Sequence, residues 1–184
     1  NVGLLGIGTV GGGTFNVLAR NREEIMRRAG RPIQISVVAD KNQARANEVV
    51  QGRAKIVDDA FAVISDPEVD IIVELIGGYT IAKELVLAAI EGGKHVVTAN
   101  KALLATHGNE IFAAAQKKGV MVAFEAAVAG GVPIIKALRE GLTANRIEWI
   151  AGIINGTSNF ILSTMRDTGA SFAYVLPQVP VSTI

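Results

Sequence analysis

The sequence predicts an α/β fold, a doubly wound parallel sheet with helices on both faces, followed by the beginning of a second α+β domain. Three observations predict it. Short Val/Ile/Leu runs alternate with longer segments of 3.6-residue period through residues 1–132. The runs are almost continuously apolar, as strands covered on both faces require. Their alternation with helices implies parallel pairing through right-handed crossovers.

Each element follows from its own residues. Val2 to Ile7 is a brief apolar run stopped by Gly6 and Gly8. Thr14 to Ala29 reads as a helix with Phe15, Leu18, Ile25 and Met26 on one face; Gly30 and Pro32 end it. Ile33 to Ala39 is a second strand and Gln43 to Val50 a short helix. Ile71 to Leu75 is a buried run, and Thr80 to Glu91 a helix. His95-Val96-Val97, a helix around Gly108 to Lys117 and a strand Val120 to Phe124 complete the series. After Gly131 the pattern changes: a helix Pro133 to Gly141, a strand Arg146 to Ile154 carrying the single Trp149, and a helix Thr157 to Arg166. One strand and one helix bury too little for a core of their own. The expected division is a nucleotide-binding domain at 1–132, an incomplete second domain at 133–170, and an irregular tail at 171–184 that holds Pro177 and Pro180.

Composition removes several function classes. Among 184 residues, 18 Lys+Arg stand against 17 Asp+Glu, a net charge of +1, and 49% are hydrophobic. Such a chain buries a core. It lacks the basic footprint of a nucleic-acid binder. Its apolar runs are interrupted well short of the roughly 20 residues that cross a bilayer. Neither nucleic acid nor membrane is expected as a partner. With no cysteine, disulfides, thiolate zinc sites and thiol catalysis are excluded, which fits a reducing, cytoplasmic location. Asn1 in place of Met, with an apolar run starting at Val2, reads as a cut end without a leader peptide.

Gly6-Ile7-Gly8-Thr9-Val10-Gly11 fits G-x-G-x-x-G directly after a strand and at the opening of a helix. Gly6 permits a tight turn, Gly8 lets backbone approach a pyrophosphate, and Gly11 allows close helix–strand contact. The helix N-terminus adds unpaired N–H groups and partial positive charge. The run reads as a Rossmann-type dinucleotide site, the alternative being a structural glycine-rich turn. At the end of the second strand, Asp40 suits the ribose hydroxyls of NAD, whereas Lys41 attracts the 2′-phosphate of NADP. The two point in opposite directions, so both cofactors stand.

Ligands in such sheets sit beyond the carboxyl ends of the strands. Three loops there carry unusual residues. Glu74-Leu75-Ile76-Gly77-Gly78 places a carboxylate at the end of a buried strand; Glu74 is either functional or satisfied by backbone N–H groups. Thr98-Ala99-Asn100-Lys101 brings an amide and an ammonium to the same rim; Lys101 is either a surface lysine at a helix start or a catalytic one. Glu125-Ala126-Ala127-Val128-Ala129-Gly130-Gly131 is small-residued enough for close approach to its backbone. His95 and His107 have no triad partner nearby in sequence and read as structural.

Taken together, five segments resemble homoserine dehydrogenase: Val2 to Gly11, Val73 to Gly78, Val97 to Leu104, Phe124 to Ile135 and Gly152 to Leu162. They occur in the family's order and cover roughly residues 1 to 170. The resemblance implies NAD(P)-dependent interconversion of L-homoserine and L-aspartate 4-semialdehyde, on the route to threonine, methionine and isoleucine. It also implies a homodimer for the intact enzyme. By this likeness Thr9 and Val10 lie in the phosphate turn, Gly77 and Gly78 near the cofactor, and Lys101 near substrate and nicotinamide. Lys41 stands where the family often has Arg, which tilts the choice towards NADP. The loop matching Glu125, Val128, Gly130 and Val132 holds Na+ in the family, largely through backbone carbonyls, and a hard cation suits oxygen ligands.

The chain departs from the family at its end. The family continues with acidic substrate ligands and a proton-donating lysine, whereas Tyr174 to Ile184 contains neither acid nor lysine. Lys101 is the part of the catalytic set carried here. The expectation is a truncated piece that binds NAD(P)H and turns over homoserine negligibly. Trp149, Ile150, Ile153 and Ile154 are expected to lie uncovered and to promote association. The alternatives are another Rossmann-type dehydrogenase, a non-catalytic NAD(P)-binding module or a purely structural or assembly piece.

Overall fold

Six parallel strands form one sheet in the order β3-β2-β1-β4-β5-β6 in the computed structural model, which describes residues 1–153 and 155–179. The strands are β1 (Val2–Leu5), β2 (Ile35–Ala39), β3 (Lys55–Val57), β4 (Ile71–Glu74), β5 (His95–Thr98) and β6 (Val122–Ala123). Helices α1 (Thr9–Arg20), α2 (Arg22–Ala29), α3 (Gln43–Val50), α4 (Ala60–Ile64), α5 (Thr80–Glu91) and α6 (Lys101–Lys118) connect them. The doubly wound α/β class expected from the sequence is the fold observed.

The strand period of two divides the core into two layers. Val2, Leu4 and Val38 pack with Phe15 of α1 and with Ala46, Val49 and Val50 of α3. Leu5, Val37 and Ile72 turn the other way, against Val63 of α4, Leu85 and Ile90 of α5 and Leu103 and Ile111 of α6. The two-sided cover stops at β5, where His95 and Val97 are exposed while Val96 and Thr98 are buried. Register sets the strand ends level: Leu5 pairs with both Ala39 and Glu74, and Glu74 pairs with Thr98. The loops after β1, β2, β4 and β5 therefore open on one rim.

Several elements differ from the sequence expectation. The helix expected over Thr14 to Ala29 starts earlier, at Thr9, and breaks at Asn21 into α1 and α2. Asn21 leaves helical geometry at φ −101° and ψ 22°, and its N–H closes α1 on the Val17 carbonyl. Gly30 ends α2 in the left-handed conformation, as a C-cap glycine does. The helix expected from Gly108 begins at Lys101, because the Asn100 side chain caps it by accepting from the Leu103 N–H at 3.0 Å. β3 and α4 escape the apolar pattern: Lys-Ile-Val is short and mixed, and α4 is five residues long. The strand expected over Val120 to Phe124 shrinks to β6. The helix expected over Pro133 to Gly141 divides into a short α7 (Ile134–Lys136) and a π-helical turn, Ala137–Gly141.

The chain separates into two compact units, Asn1–Gly141 and Leu142–Ile184. In the second, α8 (Gly156–Thr168) contacts α9 (Phe172–Val175), and Ile161 and Val175 are buried. The strand expected over Arg146 to Ile154 is absent among its described residues 146–153. A strand's N–H and C=O groups must be paired by a neighbour, which local sequence does not supply. Trp149 is 78% exposed, and Ile150 and Ile153 lie open beside it in sequence. Ile154 lies outside the described residues. Part of the tail expected to be irregular is helical, with α9 followed by a 3₁₀ turn over Leu176–Gln178. Residues 180–184 lie outside the described residues.

Candidate functional site

The chain leaves β1 for β2 and β3 on one side of the sheet and returns to β4, β5 and β6 on the other. The crevice between β1 and β4 is thus the switch point at which doubly wound sheets bind ligands. A cleft of about 510 Å³ opens there, lined by Gly6, Gly8, Asp40, Lys41, Asp58 and Ile76 among others.

The three motif glycines meet three different demands. Gly6 has φ +92°, and a Cβ there would stand 2.7 Å from the Leu75 carbonyl oxygen. A Cβ on Gly11 would stand 2.0 Å from the Gly6 carbonyl oxygen. Gly8, by contrast, has nothing within 4 Å of its Cβ position and is exposed on the cleft. Thr9 and Val10 follow it, also exposed, as the first residues of α1. No side chain caps this helix and no acidic residue occupies its first turn, so its first N–H groups are left open towards the rim.

Asp40 takes a part that the sequence did not indicate. Its Oδ2 accepts from the Ile7 N–H at 2.7 Å and its Oδ1 from the Asn42 N–H at 2.7 Å. The carboxylate therefore ties the end of β2 to the glycine turn after β1. Lys41 is exposed beside it. Asp58, Asp59 and Phe61 also line the cleft, although sequence reasoning passed over them. The signal was an Asp-Asp pair before Ala-Phe-Ala-Val-Ile: Asp59 caps α4 by accepting from the Phe61 N–H at 2.9 Å.

The second corner of the rim joins the loops after β4 and β5. Glu74 is fully buried; its Oε1 accepts from the Ile76 N–H at 2.9 Å and its Oε2 from the Thr98 hydroxyl at 2.7 Å. Both carboxylate oxygens are thus satisfied, one by a backbone N–H and the other by a hydroxyl. Thr98 Oγ1 in turn accepts from the Asn100 N–H at 3.0 Å, and Asn100 Nδ2 donates to the Gly78 carbonyl. Gly77 and Gly78 adopt φ +83° and +68°, a consecutive left-handed pair that glycine tolerates best. Lys101 is the first residue of α6 and exposed. A cation there opposes the helix dipole, whereas Lys117 and Lys118 in the last turn complement it. Helix stability therefore does not explain Lys101.

The loop after β6 turns back on itself. The Glu125 carboxylate accepts from the Ile135 and Lys136 N–H groups, each at 2.9 Å, and so caps α7. The Glu125 and Val132 carbonyls accept from Val128 and Ile134 N–H groups at 3.3 and 2.8 Å. Ala129 sits at φ +46°, a conformation unusual for a residue with a Cβ. Among the described residues no cluster of three His, Cys, Asp or Glu side chains is placed to hold a metal. Both histidines have local partners: His95 Nδ1 accepts from the Met121 N–H at 2.9 Å, and the His107 ring lies 6.3 Å from that of Tyr79.

Comparison with known proteins agrees with this geometry. A family model for the homoserine dehydrogenase NAD-binding domain matches residues 6–125, and a homoserine dehydrogenase model matches residues 133–180. A curated homoserine dehydrogenase of Pseudomonas aeruginosa is 64% identical over 177 residues, 96% of this chain and 40% of its own. One from Methylobacillus glycogenes is 61% identical over 178 residues, 97% of this chain and 43% of its own. The crystal structure of a homoserine dehydrogenase from Thiobacillus denitrificans superposes with a TM-score of 0.87 at 67% identity, covering 96% of this chain and 41% of that one. The chain thus spans about two fifths of the length of these relatives. With a glycine turn at the switch point and two family models covering most of its length, the chain belongs to the homoserine dehydrogenase family.

Proposed function

We propose that this chain forms the dinucleotide-binding part, and one wall of the substrate site, of an enzyme that interconverts L-homoserine and L-aspartate 4-semialdehyde. This step belongs to the synthesis of threonine, methionine and isoleucine. The observation that carries the reading is the open Gly8 position at the uncapped end of α1, on the same rim as the exposed Lys101. The bound NAD(P) supplies the centre that accepts or donates hydride. Gly6, Gly8 and Gly11 shape the turn, and the amides at Thr9 and Val10 receive the pyrophosphate. Asp40 holds the turn through Ile7, while Lys41 meets the ribose edge and, in NADP, its 2′-phosphate. Gly77 and Gly78 let the dinucleotide pass close to the backbone. Lys101 orients the substrate and polarises its terminal oxygen.

The backbone carbonyls of Glu125, Val128, Gly130 and Val132 suit Na+. A carbonyl oxygen already accepting one hydrogen bond retains a second lone pair, and a hard cation takes oxygen ligands. Its part there is to brace the loop after β6. We place the intact enzyme in the cytoplasm as a homodimer.

Separate titration of NADH and NADPH against the 184-residue chain, followed by homoserine in the presence of the tighter dinucleotide, tests this reading. The expected result is saturable dinucleotide binding with negligible homoserine oxidation by the chain alone. A chain that binds neither dinucleotide refutes the reading.

A further inference from the structure

We propose that Glu74 is a positioning residue for the nicotinamide end of the dinucleotide, acting through Thr98 and Asn100. The inference rests on the dinucleotide-binding reading above and deepens it. Glu74 is fully buried and Thr98 is 1% exposed, yet neither forms part of the apolar layers. No salt bridge to Glu74 is found among the described residues. A carboxylate in such a place is unfavourable unless its oxygens are satisfied. For packing alone, an apolar side chain at the end of β4 serves better.

The hydrogen-bond direction indicates what the carboxylate does. Ile76 N–H and Thr98 O–H both donate to it, at 2.9 and 2.7 Å, and an ionised carboxylate accepts on both oxygens. Because Thr98 donates inward, its oxygen is set to receive the Asn100 N–H at 3.0 Å. Asn100 then uses both ends of its amide: Oδ1 accepts from Leu103 N–H and Nδ2 donates to the Gly78 carbonyl. One buried group thus orders the exit of β4, the left-handed Gly77–Gly78 turn and the first turn of α6 that carries Lys101. Hydrogen bonds in series polarise one another, so the relay behaves as a unit. The pairing of Glu74 with Thr98 across β4 and β5 makes the arrangement possible.

Glutamine at position 74 keeps the shape but offers a donor where two donors already point. Glu74→Gln and Thr98→Val in the 184-residue chain should each weaken binding of the tighter of NADH and NADPH by about tenfold, because binding must then order a rim that is no longer preorganised. The matching ADP-ribose, which lacks nicotinamide, should bind as it does to the wild type. Thr98→Ser, which keeps the hydroxyl, should restore the dinucleotide affinity. If Glu74→Gln fails to fold by circular dichroism, Thr98→Val carries the test. Variants that bind the dinucleotide like the wild type overturn the inference. So does an equal loss for dinucleotide and ADP-ribose, which marks a structural role only. A wild type that binds neither ligand overturns the dinucleotide-binding reading, and this inference with it.

Discussion

Adding a single methyl group along the run Gly11-Gly12-Gly13 should give opposite results at positions two residues apart. At Gly11 the new Cβ would lie 2.0 Å from the Gly6 carbonyl oxygen and 2.9 Å from its carbon. Real Cβ contacts essentially never fall below 3.0 Å, so helix and turn must separate by at least 3.0 − 2.0 = 1.0 Å. The obstacle is backbone and has no rotamer to change. Gly6 is itself fixed, with its N–H on the Ala39 carbonyl at 2.9 Å and the Leu75 carbonyl close behind it. Overpacking of this kind costs about 3 kcal/mol, set against a helix-propensity gain of about 1 kcal/mol. The net expectation for Gly11→Ala is a loss of about 2 kcal/mol. Gly13 has nothing within 4 Å and is exposed, so Gly13→Ala should gain about 0.5–1 kcal/mol from propensity alone. Urea unfolding followed by far-ultraviolet circular dichroism, compared at constant m, measures both. A Gly11→Ala protein as stable as the wild type, or a Gly13→Ala protein less stable than it, would refute the steric account of the turn.

Further expectations concern ligand and charge. Gly8→Ala meets no neighbour and has a compatible φ of −61°, so stability should hold while dinucleotide affinity falls by about tenfold or more; equal affinity by calorimetry counts against the pyrophosphate reading. Lys101→Ala should change stability by less than about 0.5 kcal/mol, because the residue is exposed, but lower kcat of the full-length enzyme about 10²-fold. Steady-state kinetics with unchanged kcat would remove Lys101 from the substrate wall. Glu24 accepts from Arg27 and Arg28, and these bonds hold its carboxyl below the ordinary glutamate range. A depressed folded-state pKa contributes stability that is fully present above the unfolded value and lost as pH falls through the folded one. Glu24→Gln should therefore lose the corresponding part of the acid decline in Tm, and high salt should shrink the difference, since the pair is exposed.

Sequence alone determined the elements whose cause is local. The apolar runs of β1, β2 and β4 follow from burial on both faces, and the G-x-G-x-x-G spacing follows from crowded backbone at Gly6 and Gly11 with an open position at Gly8 between them. The C-cap at Gly30 belongs to the same class, since a left-handed glycine is a property of a few adjacent residues. Tertiary structure decided whatever depends on a distant partner. The mixed Lys-Ile-Val of β3 becomes a strand because β2 offers it an edge, whereas Arg146 to Ile153 forms none because its ladder would need a neighbour that periodicity cannot provide. Asp40 could be placed at the ribose edge from its position after β2, but its bond to Ile7, 33 residues away, exists only once β1 and β2 lie side by side. Glu74 is the clearest case. Its carboxylate was legible, but its partner Thr98 stands 24 residues on, and only the register of β4 against β5 makes them one device. Local patterns fix the segments whose cause lies within a few residues; which edge strands form and which polar groups meet is fixed by pairing, because a buried donor or acceptor must find its match wherever the fold brings one.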